Sequence, residues 1–343
     1  MRRIAVLTLF SQALAIALSG CASGGDAGGG ASNLPVSGAG PFQPLEDPDN
    51  KLPIQAPFVL VAPGVNLDEP TVVPWGNLLA MWVTAKAPSG TSIQHADVLT
   101  TLTDGFGPLF PALQADQGWE AGAVSGPSIV WNGPGGTEWL LFYSGGGAIG
   151  WAVGTDPLGH VWRKAPGPAL IADGAEEGNV LGPPAAVHIP GAAGESDRLR
   201  VYYVASGQLW AADAPYADVL AGGAVTWTRL DGDPSTPARD PMVAASSVPF
   251  AAGVGRAQAR AGLTPAGRVR HDLYFTAPTG AATNTCGFAG SFSGDDFLVA
   301  PAPIVGVKLN VRSPAETPYQ AGALLLYVQQ FGANDVIAAA LSP

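Results

Sequence analysis

Four carboxylate side chains stand beside short proline-containing motifs, and they are the groups in this sequence best suited to chemistry. The motifs are "DEPTVV", "RDPMVA" and "AETPYQ", and the carboxylates are Asp68, Glu69, Asp240 and Glu316. Carboxylates that share one pocket can act as an acid and a base, because crowding of like charges raises the pKa of one of them. Three polar residues beside the same kind of motif are candidates for substrate binding, namely Ser125, Arg239 and Thr317. Whether these groups meet depends on the elements that carry them.

The prolines of these motifs recur along the chain. Pro70, Pro127, Pro184 and Pro241 are evenly spaced, and Pro318 follows after a longer interval. Each is followed by an apolar and aromatic run such as "LRVYYVAS", then by a turn and a run such as "IGWAVG". A fourth run ends each of the first four units, as in "PALQAD" and "PALIAD". Aromatic, β-branched and small residues bounded by turn formers, without a helical period, predict four strands in each of five units.

The two ends of the chain indicate how these units are arranged. The fifth unit lacks a fourth strand because the sequence stops at "VIAAALSP", whereas a strand-like run, "APFVLVAPG", precedes the first unit at residues 56–64. An N-terminal strand that completes the last unit closes a ring of sheets and leaves no edge exposed. The sequence therefore predicts an all-β fold, a five-bladed β-propeller of four-stranded blades over residues 41–343. The alternative is a sandwich of five hairpins.

The longer last interval contains residues 249–270, which we predict to be an insertion between the first and second strands of blade four. Four arginines lie in it: Arg256, Arg260, Arg268 and Arg270. We interpret this segment as a solvated hairpin, the alternative being a basic loop that binds a partner or an anionic lipid.

In a propeller the innermost strands open near the central axis, so residues at their starts converge on one pocket. If the five prolines mark these starts, blade one supplies Asp68 and Glu69, blade four supplies Asp240 and blade five supplies Glu316. Blades four, five and one are neighbours on a ring of five. The repeat thus predicts that four carboxylates meet at one end of the channel.

A repeating unit of the form "DP…LFYS…IGWA" resembles the five-bladed propeller glycosidases, the superfamily of arabinanases, xylosidases and invertases. The resemblance covers residues 56–343 and is best over residues 138–164, and "RDP" at Arg239–Pro241 is similar to a motif that the family uses beside the scissile bond. It implies a carbohydrate ligand. It also implies hydrolysis by two carboxylates, whose separation sets the stereochemical outcome.

The sequence departs from that family at two blades. The family places carboxylates at the starts of blades one, two and three, but blade two has "SGPS" here and blade three has "GPPA". Glu176 and Glu177 lie in the loop before blade three, and we interpret them as a solvated pair. Two hypotheses remain. Asp68 or Glu69, Asp240 and Glu316 form a catalytic set displaced around the ring, with Arg239 neutralising charge, or the propeller is a non-catalytic module that binds a glycan or a protein.

The first twenty residues combine a charged start, an apolar run and small residues, which indicates an export signal over residues 1–20. "LSGC" resembles the bacterial lipobox, which implies cleavage before Cys21 and a lipid on its thiol, and Ala22 favours the outer membrane. The Gly- and Ser-rich residues 21–40 are typical of a flexible tether. We therefore expect a lipid-anchored protein of the cell envelope that contacts the membrane only through this anchor.

Charge and composition limit the other partners. The chain has 16 basic and 27 acidic residues, a formal net charge of −11, which argues against nucleic-acid binding. The four histidines, His95, His160, His188 and His271, show no ligand spacing, so we predict no metal centre and no cofactor. A divalent cation held by the channel carboxylates stays open as an alternative. We expect a monomer.

Overall fold

A computed structural model of the protein describes residues 42–44, 58–60, 62–75, 78–99, 106–131, 138–156, 159–191, 195–263, 268–280, 283–305, 310–319, 322–331 and 334–342. The predicted signal at residues 1–20, Cys21 and the rest of the tether to residue 40 lie outside these residues. Within the described residues, no helix has the length and apolar character needed to cross a membrane.

Five antiparallel sheets form the five blades of a β-propeller, as predicted. Two short strands come first, β1 (Gln43–Pro44) and β2 (Phe58–Leu60). Blade one contains β3 (Asn66–Trp75), β4 (Leu78–Ala87), β5 (Gly90–Leu99) and β6 (Phe110–Leu113). Blade two contains β7 (Ser125–Trp131), β8 (Trp139–Gly145), β9 (Ala148–Gly154) and β10 (Trp162–Lys164). Blade three contains β11 (Pro184–Ile189), β12 (Arg198–Ala205), β13 (Gln208–Pro215) and β14 (Thr228–Arg229).

The last two blades follow the same order from the innermost strand outwards. Blade four contains β15 (Ala257–Leu263), β16 (Val269–Pro278), β17 (Asn284–Ser291) and β18 (Leu298–Val299). Blade five contains β19 (Val311–Tyr319), β20 (Gly322–Phe331) and β21 (Asn334–Ser342), together with β1 and β2. The described residues outside the sheets include α1 (Tyr216–Ala221) and two 3-10 turns, Gly118–Glu120 and Ala245–Ser247.

Both N-terminal strands pair with the last strand of the chain. Phe58 of β2 lies opposite Ala338, and Gln43 of β1 lies opposite Leu341 of β21. The predicted closure by residues 56–64 is confirmed, and β1 adds a second N-terminal strand to the same blade. Because blade five takes strands from both parts of the chain, its outer edge is covered and the ring is closed.

Apolar clusters hold neighbouring blades together. One cluster lies between each pair of consecutive blades, including the pair formed by blades five and one. Trp82 of blade one and Trp139 of blade two, for example, lie 5.6 Å apart between ring centroids. Burial of these surfaces, which is the main favourable contribution to folding, therefore occurs between the blades rather than inside any one of them.

The innermost strands share a register that differs from the predicted one. A buried aliphatic residue occupies the same place near the start of each: Leu67, Val124, Leu181, Val254 and Val311. Successive members are separated by one constant interval, except that the interval from Leu181 to Val254 is longer. The extra residues thus lie between blades three and four, and the step from blade four to blade five has the ordinary length.

This register corrects two of the five predicted anchors. The proline three residues after the aliphatic position is Pro70, Pro127 or Pro184 in the first three blades, but it is Pro314 in blade five, and blade four has Ala257 there. The strands of blades one, two and five bulge at this point, where Glu69, Gly126 and Ser313 have positive φ. Pro318, the predicted anchor of blade five, lies four residues beyond Pro314.

The predicted insertion at residues 249–270 is wrong, because β15, the innermost strand of blade four, lies inside it. Pro241 belongs instead to an outer segment of blade three. Val243 forms a bridge with Leu209, as Leu170 of "PALIAD" does with Ile149 in blade two. "PMV" is therefore the counterpart of "PAL" at an outer edge, and its regular distance from Pro184 is a coincidence of sequence.

The two "PAL" segments lead to a pair of buried glutamates at equivalent places in the repeat, Glu120 and Glu177. Glu120 accepts hydrogen bonds from the Tyr143 hydroxyl (2.8 Å), from Lys164 Nζ (2.7 Å) and from two backbone amides. Burial alone would raise the pKa of Glu120, but these hydrogen bonds, led by that of Lys164, lower it below the ordinary value. Each glutamate thus ties the loop before a blade to the second and fourth strands of that blade.

Glu177 makes the equivalent contacts in blade three. It accepts from the Tyr203 hydroxyl (2.5 Å), Arg229 Nε (3.0 Å) and the Asp173 amide (2.9 Å). The Glu177 side chain is 0% exposed, so the predicted solvated pair is corrected: Glu177 is structural, while the half-buried Glu176 pairs with Arg239 at 2.7 Å.

Replacing the buried carboxylate by an amide tests this role. We expect Glu120→Gln to lower the free energy of unfolding by about 2 kcal/mol near neutral pH, because Lys164 loses its buried carboxylate partner and keeps only the exposed one, Asp116, at 2.6 Å. A group whose folded-state pKa is lowered stabilises the fold above its unfolded pKa, about 4.3 for Glu, and loses that contribution as the pH falls through the folded value. The deficit of the variant should therefore be full above about pH 5 and shrink in acid.

Urea unfolding followed by tryptophan fluorescence at several pH values measures this difference. Glu195→Gln is the matched control, because Glu195 is exposed and its replacement should change stability by less than about 0.5 kcal/mol. A Glu120→Gln variant as stable as the control, or a deficit that grows towards low pH, contradicts the assignment.

Candidate functional site

Asp68 lies at the start of β3 in a cluster of charges. Its carboxylate accepts from Lys86 Nζ at 2.8 Å and from the Ser313 hydroxyl at 2.9 Å, and Arg312 Nη2 lies 3.5 Å away. Arg312 also pairs with Asp335 at 2.8 Å. Burial alone would raise the pKa of Asp68, but the charges of Arg312 and Lys86 lower it below the ordinary value. Asp68 is thus held ionised in a bridge between blades one and five, which does not suit a proton donor.

Glu69 is adjacent to Asp68 in sequence, but its side chain is linked through Thr84 to blade two rather than to blade five. Its carboxylate accepts from the Thr84 hydroxyl at 2.7 Å, and that hydroxyl oxygen accepts in turn from the Gly126 amide at 2.8 Å. Gly126 has a φ of 61°, and a Cβ there would lie 2.6 Å from Pro183, so only glycine fits. Ser125 opens β7 beside it. Glu69 thus belongs to a hydrogen-bonded link between blades one and two.

A buried arginine crosses the channel next to these strand starts. Arg256, just before β15 in blade four, donates from Nη1 to the Pro70 carbonyl at 3.1 Å and from Nη2 to the Pro127 carbonyl at 2.8 Å. Blade four is a neighbour of neither blade one nor blade two, so the guanidinium lies across the axis. Burial lowers the pKa of Arg256, and the charges of Glu69 and Asp68 oppose that shift. The side chain thus spans the axis at this level of the channel.

A cavity of about 460 Å³ opens along the later halves of the innermost strands. Residues from all five blades line it, and those with polar or aromatic side chains are Thr71, Trp131, His188, Gln258, Arg260, Glu316 and Thr317. All five strands contribute because they share the register described above. The cavity and the cluster around Asp68 thus occupy different levels of one channel.

Glu316 is a buried carboxylate that lines this cavity. It forms an ion pair with Arg260, and its backbone amide donates to the side-chain oxygen of Gln258. Burial raises the pKa of Glu316, and the charge of Arg260 opposes that rise. Thr317 beside it is 1% exposed, and its hydroxyl has no hydrogen-bond partner among the described residues. This hydroxyl is thus an unsatisfied polar group buried beside the cavity.

The predicted set of carboxylates is therefore divided along the channel. Arg312 occupies in blade five the place that Asp68 has in blade one, and Glu316 lies four residues further along β19. A strand rises about 3.3 Å per residue and the bulge shortens that rise, so the levels of Asp68 and Glu316 are separated by about 10 to 13 Å along the axis. Carboxylates that hydrolyse a glycosidic bond stand about 5 to 9.5 Å apart. Arg256 also lies between the two levels.

Arg239 and Asp240 do not reach the channel, because "RDP" is not at the start of an innermost strand. Arg239 donates to Glu176 and to Glu177 (2.7 and 2.8 Å) and lies over the Trp210 ring at 4.9 Å. Asp240 accepts from the Thr236 hydroxyl, and its amide donates to Asp231 at 2.9 Å. The structure thus places the predicted residues in three groups: Asp68, Glu69 and Ser125; Glu316 and Thr317; Arg239 and Asp240.

Three residues that the sequence analysis missed are the polar groups of blade four: Arg256, Gln258 and Arg260. They were hidden inside the segment interpreted as a solvated hairpin. Val254 and Val311 are separated by the regular interval of the repeat, and this is the signal that could have identified them, since it places Arg256 at the level of Glu69.

No protein-family model and no curated protein sequence matches this chain. Solved structures do match it. A glycosyl hydrolase from Bacteroides ovatus superposes with a TM-score of 0.60 at 15% identity, over 88% of this chain and 93% of that one. An alpha-L-arabinofuranosidase from Podospora anserina, in complex with cellotriose, gives 0.57 at 12% identity over 88% and 97%. A GH62 hydrolase in complex with xylotriose gives 0.56 at 11% identity over 81% and 91%. The chain has the five-bladed fold of these glycoside hydrolases, so the resemblance seen in the sequence is confirmed for the fold.

The buried guanidinium makes a testable contribution to stability. We expect Arg256→Met to lower the free energy of unfolding by about 2 kcal/mol, because the Pro70 and Pro127 carbonyls lose charged donors while a desolvated charge is removed. Arg256→Lys should be intermediate, since one ammonium group cannot span both carbonyls as the planar fork does.

Denaturant unfolding of both variants measures this effect. Arg198→Met is the control, because the Arg198 side chain is 50% exposed and the buried Asp213 that it contacts at 3.2 Å keeps both of its hydrogen bonds from Arg200. If Arg256→Met proves as stable as the control variant, the contacts across the axis do not hold the ring in the way described.

Proposed function

We propose that the protein binds a carbohydrate in the central cavity and does not hydrolyse it with a pair of carboxylates. The observation that carries this proposal is that Glu316 is the only carboxylate among the described residues that line the cavity. Its immediate partner is Arg260 rather than a second acid.

The walls of the cavity suit a sugar. Binding sites for small molecules are concave, largely apolar clefts of about 300 to 1,000 Å³ with a few placed polar groups. Here the apolar part includes Trp131, which stacks on Trp139 with centroids 5.3 Å apart and offers ring surface to the cavity. The Thr317 hydroxyl and the Glu316 carboxylate supply hydrogen-bonding groups beside it. A sugar ring, which has polar edges and an apolar face, would contact both the polar and the apolar parts of the cavity wall.

The same geometry argues against hydrolysis. A glycosidase of the usual kind needs one carboxyl group to protonate the leaving oxygen and another to act as base or nucleophile. Burial favours a protonated Glu316, which suits a donor of one proton. The other carboxylate whose charge acts on it, Asp272, is not among the described residues that line the cavity. Asp68 is on the far side of Arg256 and is held ionised. The predicted roles of Asp68, Glu69 and Asp240 in catalysis therefore have no support from the geometry.

Similar structures indicate the class of ligand. Two of the matching proteins are described as complexes with cellotriose and with xylotriose, and both are hydrolases by name. At 11 to 12% identity this similarity is one of fold. It is consistent with a carbohydrate as the class of ligand of this chain, and it does not identify the sugar. The non-catalytic alternative raised by the sequence, a glycan-binding module, is the one that the cavity favours.

Binding and cleavage can be measured side by side. The protein is titrated with a panel of neutral plant and microbial oligosaccharides, and the same mixtures are resolved by chromatography. We expect binding without released products, and at least a tenfold weaker affinity for Glu316→Gln or Thr317→Val because each removes a polar contact in a buried site. Asp240→Asn is the matched control and should bind as the wild type does, since Asp240 lies outside the cavity.

Two results would contradict the proposal. Release of a sugar that Glu316→Gln abolishes would show that the cavity is catalytic, and an affinity that Glu316→Gln leaves unchanged would place the sugar elsewhere. Thermal unfolding of each variant shows whether a loss of binding comes from a loss of the fold.

We further propose that the propeller is held at the outer membrane of the cell envelope by a lipid on Cys21. This placement rests on the N-terminal part of the sequence, which contains the lipobox-like "LSGC" followed by Ala22. A tethered propeller would present its cavity to sugars in its surroundings, which agrees with a binding role.

A further inference from the structure

Two histidines and an aspartate converge between blades one and two, away from the central channel. His95 and Asp97 belong to β5, and His160 lies in the loop between β9 and β10. The Nε2 atoms of His95 and His160 lie 3.2 and 3.7 Å from one oxygen, Oδ2 of Asp97. The two imidazole rings are 4.0 Å apart between centroids. Potential ligand atoms of all three side chains lie within 4.8 Å of one another.

Each side chain is positioned by its own element. Residues 95 and 97 are two apart on a strand, so they project from the same face of the blade. The Oδ1 atom of Asp156 accepts hydrogen bonds from the amides of His160 (2.8 Å) and Val161 (2.7 Å), which fixes the loop. Gly159 keeps this loop close to blade two, because a Cβ at Gly159 would lie 2.9 Å from the Trp139 ring. The arrangement is thus built from two blades.

The distances fit a bound divalent ion. Ligand bonds of about 2.1 Å to nitrogen and oxygen place neighbouring donor atoms about 3.0 to 3.4 Å apart in octahedral or tetrahedral geometry. The two distances to Asp97 are close to these values without any change of backbone. Two imidazoles and one carboxylate suit zinc and neighbouring transition ions, whereas calcium and magnesium prefer oxygen ligands alone.

The surroundings leave room for exchange with solvent. His95 is buried, with its ring 6.1 Å from Trp82 and 5.8 Å from Phe110. The side chains of Asp97 and His160 are 33% and 32% exposed, so the cluster opens outwards. Three protein ligands with an open side are the pattern of zinc sites that keep one position for water or another ligand.

We propose that His95, Asp97 and His160 form a site for a divalent transition ion of the zinc type. Blade one supplies two ligands and blade two supplies one, so the bound ion joins adjacent blades. The site is independent of the carbohydrate cavity, and neither proposal depends on the other. Without an ion the same three groups form a simple cluster, in which His95 hydrogen-bonds to Asp97 and His160 lies 3.7 Å from the same oxygen, and the experiment must distinguish this alternative.

Metal titration of the untagged protein tests the site. After removal of ions with a chelator, Zn²⁺ is added in a calorimeter, and bound zinc is counted by elemental analysis after desalting. We expect one equivalent for the wild type and none for Asp97→Asn or His160→Ala. We also expect zinc to raise the melting temperature of the wild type only, because an ion that binds the folded state alone stabilises it. Co²⁺ should give visible absorption bands that the two variants lack.

A matched control comes from a second contact of the same kind. His188 and Asp197 are paired at 2.7 Å on blade three, without a third ligand among the described residues, so Asp197→Asn should keep the full equivalent of zinc. The proposal is overturned if the wild type retains no zinc, or if His160→Ala binds as much as the wild type does. His160 and Asp97 are partly exposed, and a melting temperature without zinc near that of the chelated wild type verifies that both variants fold.

Discussion

The Arg256 guanidinium separates two parts of the central channel, and the rest of the site depends on this separation. It reaches across the axis from blade four to the Pro70 and Pro127 carbonyls and places a buried positive charge beside the starts of the innermost strands. A desolvated charge is tolerated there because two carbonyl oxygens and the nearby charges of Glu69 and Asp68 compensate it. The channel is thereby divided into a charged bridge on one side and a cavity on the other.

Charge is used differently on the two sides. Around Asp68, ions of both signs neutralise one another and connect the first and last blades, so Asp68, one of the four predicted catalytic carboxylates, contributes to ring closure. In the cavity, Glu316 and Arg260 face a space lined in nearly equal parts by polar and apolar surface. The buried glutamates Glu120 and Glu177 are likewise paired with basic side chains, further from the axis, and each joins a loop to its blade. Most buried carboxylates of this fold thus stabilise it, and Glu316 is the one placed to meet a ligand.

The fold could be predicted from the sequence because regular repetition and an N-terminal strand are properties of the pattern itself. The site could not, because it depends on register. Pro241 continued the regular spacing of prolines by coincidence, so Asp240 beside it was included in the predicted site. The innermost strand of blade four has alanine, Ala257, at the place of the proline. That substitution hid Arg256, Gln258 and Arg260. The ligand set of His95, Asp97 and His160 was invisible for another reason, since its members come from two blades and meet only in space.

The ligand is expected on the cavity side of Arg256, and a crystal structure of the protein soaked with an oligosaccharide that it binds measures this directly. We predict a sugar ring in the cavity, against Trp131 and within hydrogen-bonding distance of Glu316 and Thr317, with the Arg256 contacts to Pro70 and Pro127 unchanged. A sugar bound beside Asp68 at the strand starts, or an Arg256 side chain displaced to admit it, would contradict the division of the channel and return the catalytic hypothesis to the carboxylates of blade one.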